Sequence, residues 1–206
     1  MSSEKETKGF NFSNPKHRSY LYTGLFVFAV IIFFVINNVN GESGEGPLPP
    51  NYSQAESGKL VNLSDYKGKV VIIDFWATWC GPCRMGIPDL VEIKEKYGDK
   101  GVEVIGISLD ALTRGGQTAK DVLPFMKEYK INYPILTGNA QVIQNYGGIK
   151  SIPTSFVIDK QGYILSHYQG LISKETYLEN IEKALSKDYK SDKKYLAPEF
   201  SLSEIK

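Results

Sequence analysis

Hydrophobic positions along residues 51–186 follow two spacings, one typical of strands and one typical of helices. Residues 69–76 and 102–109 are near-continuous apolar runs rich in β-branched side chains, which predict central strands buried on both faces. Residues 82–97 and 173–185 instead repeat apolar side chains at helical spacing. Strand and helix patterns that alternate along one chain predict an α/β domain.

Shorter segments complete the predicted domain. Turn residues between extended segments predict two antiparallel hairpins, of which the first is an N-terminal extension of the domain. The predicted hairpins are residues 51–55 with 59–63 and residues 155–159 with 163–168. The other predicted elements are a short strand at 133–136, helices at 119–130 and 140–146, and a loop at 113–118. Ser173 is predicted to cap the last helix.

The N-terminal pattern differs from that of the domain. Residues 1–19 are polar and basic, and an uncharged apolar run of about 17 residues follows, which at about 1.5 Å per residue nearly spans a hydrocarbon core of ~30 Å. We predict a transmembrane signal anchor at 20–39 and, by the positive-inside tendency, a cytoplasmic segment at 1–19. A cleaved secretory signal is the alternative, although the apolar run is longer than a typical signal core.

Two further segments flank the predicted domain, which spans residues 51–186. Residues 40–50 are rich in Gly and Pro and predict a linker. Residues 187–206 alternate charges with scattered apolar side chains and show no clean period, so we predict a mostly solvated, flexible tail. A docking peptide is the alternative interpretation of this tail.

Charge and cysteine usage narrow the function classes. The 24 basic and 23 acidic residues give a formal net charge of +1, so a polyanion-binding surface and a nucleic-acid partner are not indicated. The chain has only two cysteines, Cys80 and Cys83, which excludes a framework of several disulfides. We predict no metal and no cofactor. A zinc site needs about four ligands, and two cysteines cannot supply them. A c-type haem site would need His where Arg84 stands.

The cysteine pair lies where a buried strand is predicted to run into a helix. Cys80 would open the helix, where the helix dipole and free backbone N–H groups favour a thiolate. Cys83, one turn further on and facing inward, would resolve a mixed disulfide formed by an exposed Cys80. Gly81 and Pro82 fit the first helical turn. A purely structural disulfide is the alternative, although so short a loop constrains little of the unfolded chain.

Two other residues suit redox chemistry. Asp74 lies in an apolar strand, where an acid is costly to bury without a task, and is a candidate proton acceptor for Cys83. An Asp74 at a polar edge, paired with a lysine, is the alternative. Pro153 precedes a predicted strand, where a cis bond would turn the backbone toward the active site, although few X–Pro bonds are cis.

These motifs resemble the thioredoxin superfamily and, within it, the membrane-tethered reductases of the TlpA/ResA type. The resemblance covers about residues 50–186, and its motifs are Leu-Ser-Asp-Tyr-Lys-Gly-Lys at 63–69, Trp-Cys-Gly-Pro-Cys at 79–83, Ile-Pro-Thr at 152–154 and Ile-Asp-Lys-Gln-Gly at 158–162. It implies a thioredoxin-like fold with a central mixed sheet flanked by helices and a cis Pro153 beside the cysteines. It also implies substrate contacts at Trp79, Gly81, Pro82, Ile152 and Pro153.

The resemblance implies an extracytoplasmic disulfide reductase on a single-pass inner-membrane anchor, with its catalytic domain on the periplasmic side. Its expected partners are protein disulfides, including secreted proteins or apocytochrome c, and a membrane thiol-electron donor; we expect a monomer. Gly86 replaces a glutamate and Asp74 an asparagine found in many such relatives, which argues against a specialised cytochrome-maturation role. An extra glycine at 147–148 lengthens the approach to Pro153.

Other functions remain open. A disulfide oxidase or isomerase would use the same cysteine pair. A redoxin-type thiol peroxidase would share the fold, but such enzymes place Thr three residues before the reactive cysteine and a proline further upstream. Here Thr78 is two residues before Cys80, and Ile73 is not a proline.

Overall fold

The strand and helix patterns of the sequence fold into a mixed sheet with helices on both faces. The computed structural model describes residues 58–191 and 194–206, which belong to one of two compact units of the chain, residues 51–206. The strands are β1 (Leu60–Asn62), β2 (Val70–Trp76), β3 (Val102–Ser108), β4 (Ile135–Thr137), β5 (Thr154–Ile158), β6 (Ile164–Gln169) and β7 (Ser201–Ser203). The helices are α1 (Gly81–Tyr97), α2 (Val122–Glu128), α3 (Ala140–Asn145) and α4 (Lys174–Leu185).

Five strands form the central sheet in the order β4-β3-β2-β5-β6. The pairs β2/β3 and β3/β4 are parallel, whereas β2/β5 and β5/β6 are antiparallel. Every residue of β2 and β3 is buried, as the two continuous apolar runs predicted. The predicted hairpin of β5 and β6 and the mixed character of the sheet are confirmed.

The two faces of β2 build two separate cores, because successive side chains of a strand point to opposite sides of the sheet. Val70, Ile72 and Trp76 belong to the core that includes both cysteines and the buried faces of α1, α2 and α4. Val71, Ile73 and Phe75 belong to the other core, with residues of α3 and of the C-terminal segment.

Helix boundaries follow local sequence signals. Ser173 caps α4, since its hydroxyl oxygen accepts the N–H of Thr176 at 3.4 Å, as predicted. The predicted helix at 119–130 is shorter, with a 3-10 turn at Ala119–Asp121 followed by α2. Pro124 falls in the first turn of α2, where its missing N–H leaves no bond unmade, and Lys130 adopts φ 52° just past the end.

The C-terminal segment corrects the prediction of a mostly solvated tail at 187–206. Ala197, Phe200 and Leu202 are buried in the second core, and β7 pairs antiparallel with β1. The Tyr146 hydroxyl also donates a hydrogen bond to the Pro198 carbonyl at 2.9 Å. The scattered apolar residues that suggested no regular element therefore cover one face of the sheet, so the domain extends to the C-terminal residues.

Several predicted N-terminal features lie outside the described residues. These are the cytoplasmic segment at 1–19, the anchor at 20–39, the linker at 40–50 and the first hairpin strand at 51–55. The second hairpin strand is β1, whose antiparallel partner within residues 58–191 and 194–206 is β7. Across those same ranges, no helix has the length and apolar character needed to cross a membrane.

Candidate active site

Cys80 and Cys83 form a disulfide at the junction between β2 and α1. Their Cα atoms lie 5.2 Å apart. Cys80 is the N-cap residue of α1, and its sulfur accepts the backbone N–H of Cys83 at 3.2 Å. After reduction, the same amide and the positive end of the helix would favour a thiolate on Cys80.

Solvent exposure does not separate the two sulfurs in the disulfide form. Cys80 is 4% and Cys83 2% exposed, so the expectation of an exposed Cys80 does not hold in this state. Cys80 and Cys83 belong to the same buried core, against which the half-buried side chains of Trp79 and Ile152 pack. Helix position and the Cys83 amide are therefore the features that distinguish Cys80.

Asp74 lies on β2 and is 4% exposed. Alternation along the strand places it on the same sheet face as Ile72 and Trp76, which share a core with the two cysteines. Burial raises the pKa of Asp74 to about 7. Burial also raises the pKa values of Tyr133 and Tyr177, and the negative charge of Asp74 raises both further.

The alternative interpretation of Asp74, a lysine-paired acid at a polar edge, finds no support. Within the described ranges, Asp74 forms no ion pair, and its carboxyl group accepts no hydrogen bond. A buried carboxyl without such partners exchanges a proton near neutral pH, which suits the predicted proton acceptor.

The cis peptide bond predicted at Ile152–Pro153 is confirmed. Pro153 is buried and its carbonyl accepts the N–H of Gly170 at 2.8 Å, while Ile152 is half-buried and contacts both cores. The hydroxyl of Thr154 donates to the carbonyl of Ser151 at 2.7 Å. The loop before β5 is thus fixed on both sides of Ile152, whose substrate contact stays a prediction.

The remaining predicted substrate residues surround the disulfide. Gly81 and Pro82 are exposed in the first turn of α1, and a side chain at Gly81 would meet open space beyond its chain neighbours and its own helix backbone. Trp79 is half-buried, and its indole N–H donates to the Thr113 hydroxyl at 3.1 Å. The exposed dipeptide leaves room for a partner protein beside the two sulfurs.

Sequence reasoning missed Asp110, which organises the turn before Cys80. Asp110 is fully buried and its carboxylate accepts three hydrogen bonds. The donors are the backbone N–H of Thr78 at 3.0 Å, the Thr78 hydroxyl at 2.6 Å and the Ser108 hydroxyl at 3.0 Å. The available sequence signal was an acid directly after an apolar run, which is weaker than the signal at Asp74, an acid that interrupts such a run.

Sequence reasoning also missed the contacts of the loop at 113–118, which it predicted only as a loop. Thr113 accepts the Trp79 indole N–H and donates its own hydroxyl to the Leu109 carbonyl at 2.8 Å. The guanidinium carbon of Arg114 lies 4.3 Å from the Trp79 ring centroid. No local sequence signal pairs this loop with a tryptophan more than thirty residues earlier.

Potential metal ligands do not cluster within residues 58–191 and 194–206. No three His, Cys, Asp or Glu side chains in these ranges lie close enough together to hold a metal ion. His167 stacks on Phe156, with ring centroids 4.5 Å apart, in a neighbourhood of aromatic side chains.

Comparison with known proteins decides the family. The AhpC/TSA family profile matches residues 47–167, more than half of the 206-residue chain. The chain belongs to this family. Among its relatives, the thiol-disulfide oxidoreductase ResA of Bacillus thuringiensis subsp. konkukian is 36% identical over 140 residues, covering 67% of this chain and 77% of ResA. ResA of Bacillus subtilis is 32% identical over 165 residues, covering 77% and 88%.

A solved structure supports the thioredoxin-like fold of this AhpC/TSA member. It is the thiol:disulfide interchange protein, a thioredoxin family protein, from Chlorobium tepidum TLS, with 34% identity and a TM-score of 0.53 over 60% of this chain and 84% of that chain. The mixed sheet with flanking helices agrees with this assignment. The protein is a thiol-disulfide oxidoreductase with the cysteine pair Cys80 and Cys83.

Proposed function

We propose that this thiol-disulfide oxidoreductase acts as a disulfide reductase outside the cytoplasm. The observation that carries the direction is Asp74, a buried acid on the sheet face that shares a core with the cysteines. A carboxylate there without an ion-pair partner disfavours a second negative charge, so it destabilises the reduced thiolate form relative to the disulfide. The Gly81-Pro82 dipeptide also resembles that of thioredoxin, a reductant.

The proposed cycle begins with the reduced pair. The Cys80 thiolate attacks one sulfur of a substrate disulfide, and the other substrate sulfur leaves as a thiolate and takes up a proton. Asp74 accepts the proton of Cys83, whose thiolate then attacks Cys80 in the mixed disulfide. The second substrate sulfur leaves as a thiolate and takes up the proton held by Asp74, so the substrate is released as a dithiol. The protein is left as the Cys80–Cys83 disulfide, and two electrons have passed to the substrate.

Location and partners complete the proposal. The apolar run at 20–39 would hold the domain on the outer side of the inner membrane, where a membrane thiol-electron donor would reduce the disulfide again. Substrates would be disulfides of secreted proteins or of apocytochrome c. Gly86 and Asp74 favour general protein disulfides over specialised cytochrome maturation, because many relatives of that role carry glutamate and asparagine there.

A thiol peroxidase fits the candidate site less well. Thr78 donates its hydroxyl to Asp110 at 2.6 Å and is therefore engaged away from the Cys80 sulfur. The two cysteines also pair with each other within one turn of helix, which suits exchange with a protein disulfide.

The reduction potential tests the proposed direction. Equilibration of the full-length protein in a neutral detergent with defined thiol-disulfide buffers should give a potential below about −220 mV. A potential near about −120 mV would make the protein an oxidase and overturn the proposal. The proposed location is tested in intact cells, where a membrane-impermeant thiol reagent should label reduced Cys80 from outside; labelling only after access to the cytoplasm would overturn it.

A further inference from the structure

The loop that holds Trp79 also places a positive charge beside the disulfide. Trp79 immediately precedes Cys80, and consecutive Cα atoms are about 3.8 Å apart, so a substrate that reaches Cys80 also passes close to Trp79. Thr113 accepts the Trp79 indole N–H at 3.1 Å, and the guanidinium carbon of the next residue, Arg114, lies 4.3 Å from the ring centroid. Two successive loop residues thus contact the tryptophan.

The backbone of Arg114 is unusual for a residue with a long side chain. Its φ is +49°, in the left-handed region, and Gly115 and Gly116 follow with φ of 66° and 73°. A non-glycine residue in this region costs free energy, and such residues concentrate at functional sites. The position of the Arg114 side chain over Trp79 explains why an arginine, and not a glycine, occupies this backbone conformation.

The charge of Arg114 is not neutralised within the described ranges. Arg114 is exposed, and in residues 58–191 and 194–206 it forms no ion pair and its guanidinium donates no hydrogen bond. The nearest acid along the loop, Asp110, is buried, and its carboxylate accepts bonds from Thr78 and Ser108. Stacking on an aromatic face leaves the in-plane N–H groups of a guanidinium free to bind a carboxylate.

A second arginine adds to the positive charge near the pair. Arg84 directly follows Cys83, and its Nε donates to the Tyr129 hydroxyl at 3.0 Å. Glu128 is the acid whose charge acts on Arg84. Arg84 is thus engaged by Tyr129 and Glu128, whereas Arg114 is the cation that lies over the ring of the residue before Cys80.

We propose that Arg114 is a specificity-determining residue that favours protein disulfides with an acidic residue next to the attacked cysteine. Its guanidinium, which lies over the Trp79 ring, would bind the carboxylate while Cys80 attacks the neighbouring sulfur. The inference rests on the proposed function only in taking protein disulfides as substrates. It concerns which disulfides react fastest and is independent of the direction of electron flow.

The test compares two disulfide-linked peptide dimers that differ only in carrying Glu or Lys next to the cysteine. Single-turnover rates are measured with the reduced full-length protein in a neutral detergent. At low salt the Glu peptide should react about fivefold faster than the Lys peptide, the scale expected for an exposed charge that attracts one and repels the other. The ratio should approach one at about 0.5 M salt, where exposed charges are screened.

Variants separate charge from a merely structural role. Arg114→Gln should bring the Glu-to-Lys rate ratio close to one, and Arg114→Lys should restore most of it. Thr113→Val removes the hydrogen bond to Trp79 but keeps the charge, so it should change both rates together and leave the ratio in place. The matched control is Lys100→Gln, because Lys100 also lies over an aromatic ring, at 4.6 Å from the Tyr97 centroid, in the turn after α1.

Defined outcomes would overturn the proposal. These are a Glu-to-Lys ratio near one in the unmodified protein, a ratio that persists in Arg114→Gln, or an equal loss of ratio in Lys100→Gln. If the reduction potential shows that the protein is an oxidase, the same ratio is measured with dithiol peptides and the oxidised protein. Failure of the proposed direction and failure of the Arg114 assignment are therefore told apart.

Discussion

Asp74 and Asp110 are both buried aspartates near the cysteine pair, yet their surroundings differ. The Asp110 carboxylate accepts three hydrogen bonds, two from Thr78 and one from Ser108. Within residues 58–191 and 194–206 no hydrogen bond reaches the Asp74 carboxyl group, and burial raises its pKa to about 7. The comparison teaches that hydrogen-bond donors, more than burial, decide whether a buried acid holds structure in place or exchanges a proton.

Position in the sheet gives the two acids different targets. Trp76 at the end of β2 pairs with Ser108 at the end of β3, so Asp110 lies at the edge of the sheet where α1 begins. There it fixes Thr78, two residues before Cys80. Asp74 lies within β2, on the face that shares a core with Cys83. We therefore expect Asp110 to affect attack by Cys80 and Asp74 to affect resolution by Cys83.

The largest expected effect comes from removing the Cys83 thiol, which blocks resolution of the mixed disulfide but not its formation. Cys83→Ser should lose turnover and accumulate mixed disulfides, seen on non-reducing gels as higher-mass species that collapse with dithiothreitol, because Cys80 attacks but nothing resolves. Cys80→Ser should trap little, since it lacks the sulfur that accepts the helix N–H. Equal trapping by both variants, or trapping by Cys80→Ser alone, would reverse the assignment of nucleophile and resolving thiol.

The Cys83→Ser variant also allows Asp74 and Asp110 to be compared in the first attack alone. Adding Asp110→Asn to Cys83→Ser should slow mixed-disulfide formation by about tenfold, because a loosened turn misplaces Cys80. Adding Asp74→Asn should leave that rate nearly unchanged, because its proposed partner is already gone. If Asp74→Asn slowed the first attack as much as Asp110→Asn does, the proposed separation of roles would fail.

The second effect is on stability against pH. The pKa of Asp74 is about 7 in the folded protein and about 4 in an unfolded chain, so the folded state binds the extra proton between these values. Stability should therefore fall as pH rises from about 4 to about 7 and then level off, by a total on the order of 4 kcal/mol. Asp74→Asn should remove this decline, so its stabilising effect should be largest above pH of about 7.

Urea unfolding of the oxidised protein across this pH range measures the effect. Asp99→Asn is the matched control, because Asp99 is an exposed aspartate in the turn after α1. A pH profile of Asp74→Asn that is parallel to that of the unmodified protein would show that Asp74 does not keep its proton in the folded state.

A smaller loss of stability is expected at Asp110. Asp110→Asn replaces one acceptor oxygen by an NH₂ group that faces the donors of Thr78 and Ser108, so it should lower the free energy of unfolding by about 1–3 kcal/mol. Asp121→Asn serves as the control, since Asp121 is exposed and its side chain makes no capping hydrogen bond. Equal stability of both variants would mean that the three bonds to Asp110 contribute little.

Much of this fold, but only part of this site, could be predicted from the sequence. Continuous apolar runs predicted β2 and β3, because strands buried on both faces need no polar positions. Asp74 was recognisable because an acid interrupts such a run. Asp110 lies just beyond a run, and its importance comes from Thr78, a partner 32 positions away in the chain. Spacing along the sequence does not encode such a contact.

The C-terminal segment shows the same limit at a larger scale. Phe200 and Leu202 are two apolar positions in a charged stretch, too few to establish a period. They are buried because β1 and the second face of the sheet offer them an apolar surface formed by distant residues. The burial of Cys80 in the disulfide form likewise depends on a core whose members come from distant parts of the chain.

The smallest predicted effect concerns turnover in Asp74→Asn. Asp74 accepts a proton only when it is ionised. Because its pKa is about 7, the ionised fraction increases as pH rises through neutrality. The resolution rate of the unmodified protein should therefore rise through about pH 7, whereas in Asp74→Asn it should rise only at higher pH, where the Cys83 thiol ionises without a base. The variant should be about tenfold slower near pH 7, at the low end of general-base effects, and the difference should shrink as pH rises further. Stopped-flow measurement of mixed-disulfide release separates this step from attack, and Asp99→Asn is again the control. A constant ratio of the two rates from about pH 6 to about pH 9 would mean that Asp74 is not the proton acceptor, and that its difference from Asp110 is one of stability alone.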